Sequence, residues 1–112
     1  MAQPSLYARY LLEREDLHTL EEEYGFASYK FGDDYVYITD IYVLSDIRQK
    51  GLASALADKI AEIASKNGKT RLIGSVDVSA NNCTESAKAL LGYGFKLHNV
   101  EQNLIYFVKE IA

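Results

Sequence analysis

The stretch from Asp40 to Leu56, D-I-Y-V-L-S-D-I-R-Q-K-G-L-A-S-A-L, constrains this chain more than any other. Ile41, Tyr42, Val43 and Leu44 form the β-branched and aromatic run expected of a buried strand. Arg48-Gln49-Lys50-Gly51 then make a short basic turn, after which Leu52, Leu56, Ile60 and Ile63 fall on one helical stripe beside Ala53, Ala57, Ala61 and Ala64. Asn67-Gly68 closes that helix. A strand that passes through glycine into a helix presents unpaired backbone N–H groups and the positive end of the helix dipole. Together these seat an anion such as a phosphate or pyrophosphate. The turn lacks the second glycine and Gly-Lys-Ser/Thr ending of a Walker loop, and it lacks the glycine spacing of a dinucleotide fingerprint.

The remaining elements follow from periodicity. Alternation of Leu6, Ala8, Tyr10 and Leu12 predicts a first strand over residues 5–12. From Glu13, Leu17, Leu20 and Tyr24 recur at helical spacing among acidic residues, which predicts a short helix closed by Gly25. Residues 26–31 and 35–44 read as a hairpin about Gly32-Asp33-Asp34. A strand over 70–78 leads through Ser79-Ala80-Asn81-Asn82 into a helix carrying Ala87, Leu90 and Leu91, with Asn82 and Glu85 as a capping pair. Gly92-Tyr93-Gly94 stops it, and residues 95–100 and 104–111 form a last hairpin. The predicted order is β-α-β-β-α-β-α-β-β, an α/β chain built on a mixed sheet with a central parallel pairing.

Residues 1–112 are long enough for one domain with one core, and the 48% hydrophobic, 25% charged composition is that of a globular protein. No run approaches the ~20 apolar residues of a membrane span, and the first residues lack the basic start and apolar stretch of a signal peptide. Cys83 is the single cysteine, which excludes an internal disulfide and points to a reducing, cytoplasmic setting. A net charge of −4 argues against nucleic-acid binding and suits a cationic substrate. No membrane partner and no metal are expected.

Residues 43–53, with Val43 closing the strand and Arg48-Gln49-Lys50-Gly51-Leu52-Ala53 opening the helix, resemble the acyl-CoA-binding motif of the GNAT superfamily of N-acyltransferases. A second signature of that family is a strand, an asparagine, a helix and a terminal Gly-Phe. It is similar to Val76-Asp77-Val78 through Asn82 to Gly94-Phe95. Both occur in the family's order, about thirty residues apart, and the resemblance covers roughly residues 35–109. It implies acetyl-CoA as donor and direct acetyl transfer to a primary amine of a small molecule or protein. The backbone of Gln49, Lys50, Gly51, Leu52, Ala53 and Ser54 would hold the pyrophosphate, with Arg48 and Lys50 adding charge. Tyr42, Val43 and Leu44 would flank the pantetheine arm through their main chain, and Asn82 would contact it.

The resemblance also implies a base on the long strand. Asp40 is the carboxylate within that strand's body, and Tyr37 holds a position often acidic in relatives; by strict alternation Tyr37 shares the side of Val43 and Asp40 does not, unless a bulge shifts the register. Asp77 is a third candidate. The position where relatives carry a tyrosine aimed at the CoA sulfur is Leu90, and Tyr93 is expected on a different helical face. That substitution supports an alternative reading, a GNAT-fold binding protein with CoA as ligand and little turnover. The short N-terminal half leaves the acceptor side open or completed by a second subunit, and the final hairpin, with Tyr106 and Phe107 in an edge-like strand, is the candidate homodimer surface.

Overall fold

The computed structural model describes residues 5–47, 51–81 and 83–111. The elements run α1 (Leu6–Glu15), β1 (His18–Glu22), β2 (Gly25–Phe31), β3 (Tyr35–Val43), a 3-10 turn (Ser45–Ile47), α2 (Leu52–Lys66), β4 (Arg71–Asp77), α3 (Cys83–Tyr93), β5 (Lys96–Glu101) and β6 (Leu104–Glu110). One six-stranded sheet has the order β1-β2-β3-β4-β6-β5. Its β3–β4 pair is parallel and the other neighbours are antiparallel. The expected mixed sheet with a central parallel pairing is therefore present, and from β2 onward the predicted elements recur within about two residues at each end. Among the described residues, no helix is long and apolar enough to cross a membrane.

The first two predicted elements exchange places. Residues 5–12, read as a strand, lie in α1, whose buried side chains are Ala8 and Leu11, three apart, while Leu6 is 82% exposed. Ser5 caps the helix by accepting from the Ala8 N–H at 3.0 Å, and Asp16 ends it in the left-handed region at φ 55°. The predicted helix from Glu13 gives way to β1, which pairs from His18↔Tyr29 to Glu22↔Gly25. Both segments were ambiguous because short apolar patterns fit either period, and pairing with β2 decided between them. Gly25 opens β2 rather than closing a helix: a Cβ there would stand 2.0 Å from the Tyr42 carbonyl oxygen.

The predicted edge position of Tyr106 and Phe107 is also corrected. β6 lies between β4 and β5, and Phe107 is buried in the core. The apolar strand takes the interior place, where both its ladders are satisfied; β5, exposed along its whole length, takes the edge.

The core lies between the sheet and α2. Leu56 and Ile60 of α2 are fully buried with Val36 of β3 and Leu72 of β4, joined by Phe95 and Phe107. Each such aliphatic side chain contributes about 2 kcal/mol by leaving water. β3 carries a bulge: Tyr29 pairs with Ile38 and Ser28 with Asp40, so Thr39 is extra. A hydrogen bond of 2.5 Å between Ser28 Oγ and Thr39 Oγ1 holds it. The bulge resets the alternation. Val36 and Ile38, then Ile41 and Val43, turn to the helices, and Tyr37, Thr39, Asp40 and Tyr42 turn to the opposite face. The expectation that Tyr37 shares the side of Val43 fails for this reason.

Candidate active site

The parallel pair is matched only from Tyr35↔Arg71 to Ile38↔Gly74. Beyond Ile38, β3 is paired with β2, and beyond Gly74, β4 is paired with β6, so the two strands splay. The gap opens into a cleft of about 640 Å³ walled by Ala53, Ser54 and Ala57 of α2 and by Cys83, Ser86 and Leu90 of α3. Small residues on both walls leave room for an extended chain to lie along the unmatched edges. Residues of both faces line the gap, Ile41 and Val76 with Asp40 and Ser75, as a passage through the sheet requires.

At the mouth of the cleft, Gly51 is the N-cap of α2 in the left-handed region at φ 76°, with no side-chain cap, and no acidic residue stands in the first turn. A Cβ on Gly51 would meet nothing within 4 Å. The backbone requires glycine there, and the approach to the first-turn N–H groups of Leu52, Ala53 and Ser54 is open. Arg48, Gln49 and Lys50, and likewise Asn82, lie outside the described residues. Val43 is buried, while Tyr42 and Leu44 are half-exposed. Leu44 has its main chain committed locally: its N–H donates to Tyr24 O at 2.9 Å and its carbonyl accepts from the Ile47 N–H at 3.2 Å.

The three candidate bases separate cleanly. Asp40 sits exposed at the bulge and lines the gap. Tyr37 is on the same face but braces the parallel pair, its hydroxyl bonded to Ser75 Oγ at 2.5 Å and its ring edge-on to Tyr106 at 6.5 Å between centroids. Asp77 is engaged by Ser79, accepting from its N–H at 2.9 Å and its hydroxyl at 2.7 Å. Those two bonds, the side-chain one first, hold the Asp77 carboxyl below the usual carboxylate range and make it the weaker proton acceptor.

The sequence reading missed the link between α2 and α3. Tyr93 lines the cleft, contrary to the face assigned from helical spacing, and its hydroxyl donates to Asp58 Oδ1 of α2. Burial, and then the hydrogen bond to Asp58, push the phenol pKa up. Lys109 lies over its ring at 4.0 Å and donates to its carbonyl at 2.8 Å. Helical spacing could not place Tyr93, because Gly94 at φ 110° terminates the helix immediately after it. Leu90 packs over Gly74 where the strands part; a Cβ on Gly74 would come within 3.1 Å of Leu90 Cδ2.

A parallel pair that splays toward an uncapped helix start is an α/β arrangement with room for an extended anionic ligand against its sheet. The model of the Acetyltransferase (GNAT) family matches residues 4–95, and the chain belongs to that family of acyltransferases. Acetyl-CoA-dependent acetyl transfer is the general activity this membership carries. The fold is shared with a GNAT-family protein of Desulfovibrio desulfuricans, with a TM-score of 0.78 at 16% identity over 93% of this chain and 76% of that one. PaiA N-acetyltransferase from Thermoplasma acidophilum, in complex with coenzyme A, gives a TM-score of 0.76 at 14% identity over 94% and 68%. A GNAT family acetyltransferase from Elizabethkingia anophelis with acetyl-CoA bound gives 0.70 at 15% identity over 96% and 92%. No curated protein sequence matches the chain.

Proposed function

We propose that this protein is an acetyl-CoA-dependent N-acetyltransferase that passes the acetyl group directly to a primary amine. The observation that carries the reading is the splay of β3 from β4 in front of the uncapped, glycine-opened start of α2. The first-turn N–H groups of Leu52, Ala53 and Ser54, with Gly51 and the neighbouring Arg48, Gln49 and Lys50, hold the pyrophosphate. Tyr42 and Val43 flank the pantetheine arm by their main chain, Leu44 by its half-exposed side chain, and Asn82 contacts it. In the gap the amine nitrogen attacks the thioester carbonyl, the C–N bond forms and the C–S bond breaks. The amine proton leaves to Asp40, and the CoA thiolate departs to take a proton from solvent.

Asp40 is favoured as base because it is exposed and lines the gap, whereas Tyr37 and Asp77 are occupied by Ser75 and Ser79. Tyr37 serves as the positioning residue that holds the parallel pair beside it. The single free cysteine supports a cytoplasmic location, and the exposed β5 edge supports pairing with a second copy. Calorimetry with CoA and acetyl-CoA tests the donor assignment; no heat of binding at millimolar ligand overturns it. Thiol release from acetyl-CoA over a panel of primary amines tests transfer. Leu90 over Gly74, in the place of a hydroxyl-bearing side chain, favours the second reading, a CoA-binding protein without turnover. Tight CoA binding with no thiol release for any amine would select it.

A further inference from the structure

The two edges of the sheet differ in what they offer. β1 is half-buried, Ser5 Oγ at the start of α1 donates to its Glu21 at 3.1 Å, and its charged side chains are Glu21 and Glu22. A second β1 laid beside it would bring like charges together. β5 closes the other edge. Among the described residues no strand pairs with its outer side, and Lys96-Leu97-His98-Asn99-Val100-Glu101 are exposed throughout. Leu97 is 62% and Val100 59% exposed, and an edge with bare apolar side chains is a template for another strand.

The β5 sequence is complementary to itself. From either end it reads charged, apolar, polar, polar, apolar, charged, with a base at one end and an acid at the other. Two copies laid antiparallel about a two-fold axis normal to the sheet set Lys96 against Glu101 of the second copy, and Leu97 against its Val100. Such an axis keeps each face of the sheet on its own side, so opposed residues must share a face. Strict alternation would put Lys96 and Glu101 on opposite faces, and Leu97 and Val100 likewise. The bulge in β5 removes that obstacle: Leu97 pairs with Phe107 and Asn99 with Tyr106, so His98 is extra. Leu97 and Val100, opposite the core residues Phe107 and Ile105, both face the helices, while Lys96, Asn99 and Glu101 face the side of Tyr106. Both copies carry the extra residue at the same place, so the two bulges meet and the ladder keeps count. Leu91, exposed on the flank of α3 away from the Tyr93–Asp58 bond, adds apolar surface on the helix face.

We propose that the chain forms a homodimer by pairing β5 with β5 in this register, joining two six-stranded sheets into one. The register specifies the contacts that hold the second copy; it rests on the reading of the β5 edge given above and not on acyl transfer. Two short strands and the Leu97–Val100 pairs make a small interface, and the dimer is a reversible one.

Sedimentation equilibrium of the whole chain from about 1 μM to about 1 mM should show monomer–dimer exchange. K96E sets carboxylate against carboxylate at both ends of the interface and should weaken the dimer at least about tenfold; E101K should do the same with two ammonium groups. The double variant K96E/E101K restores opposite charges at both ends and should return the dissociation constant to within about threefold of the parent. Both side chains are exposed, so the far-UV circular dichroism of each variant should match the parent. Amide exchange should slow with rising protein concentration at β5 and not at β1. A chain that stays monomeric over this range, leaving the edge to a strand of another protein, overturns the proposal. So does a dimer that K96E leaves intact, a double variant no tighter than either single one, or concentration-dependent protection outside β5. β4 and β6 separate β5 from the gap, so CoA calorimetry on the same samples reads the donor site independently. A monomer that binds CoA removes the dimer alone, and a dimer that binds none removes the donor assignment alone.

Discussion

The two faces of the sheet are built from different materials. The helix face is walled by alanine and serine, backed by an aliphatic core of Leu56, Ile60, Val36 and Leu72, and fronted by an open helix start. The opposite face is a floor of Tyr37, Tyr106 and Ser75 with Asp40 and Glu101 at its rim. Charge is also uneven along the chain, although both halves contribute to each face. Residues 1–47 hold ten of the 16 acidic side chains and three of the 12 basic ones, leaving six and nine for residues 48–112. In the proposed transfer from acetyl-CoA to an amine, the two substrates have to meet at one pair of atoms only. A sheet that parts two of its strands would let the two substrates of the proposed reaction approach from different faces.

Substitutions that spoil one face and spare the other test this division. The largest effect belongs to Gly51. G51E places bulk, a carboxylate and a left-handed backbone penalty at the helix start, and calorimetry should find CoA affinity reduced by at least about 100-fold, or roughly 3 kcal/mol. G51A, carrying only the backbone penalty, should retain measurable binding. On the other face, D40N should lower kcat by about 100-fold at saturating acetyl-CoA, with CoA affinity unchanged. A kcat within twofold of the parent would remove Asp40 from the chemistry.

Smaller effects sharpen how the helix face is held together. Y93F deletes the bond to Asp58 that ties α3 to α2 and should cost about 1 kcal/mol in denaturant unfolding. The Tyr93 phenol is raised in the folded state, so its contribution is complete below the unfolded pKa of about 10 and declines as pH rises beyond it. The parent should lose stability above that pH more steeply than Y93F; parallel curves would mean that the bond contributes nothing. The smallest change is expected at Lys59, whose exposed bridge to Glu22 spans 2.9 Å. K59A should leave the denaturation midpoint close to that of the parent.

The sequence-based reading succeeds where one residue type has one use. Gly51 after a basic turn, the Leu52-Leu56-Ile60 stripe and Gly94-Phe95 each answer to a local requirement, a left-handed backbone or a helical period, and all stand where they were expected. It fails where two uses compete. Residues 5–24 suit either period, and the choice between helix and strand fell to β2, which offers β1 a complete ladder. Tyr106 and Phe107 suit an edge or an interior strand equally well until β5 and β4 are both in place to bracket them.

The amino-acid sequence by itself determined the glycine-opened start of α2, because such a turn is made from contiguous backbone: strand, glycine and helix start lie within a few residues. Only the tertiary structure decided the opposite face of the sheet. Its parts come from β3, β4, β5 and β6, and their common face depends on a single extra residue, Thr39. No local rule predicts where one strand will admit a bulge against another. That insertion turns Tyr37 away from Val43 and brings it, with Asp40, to the face that carries Tyr106 and Glu101.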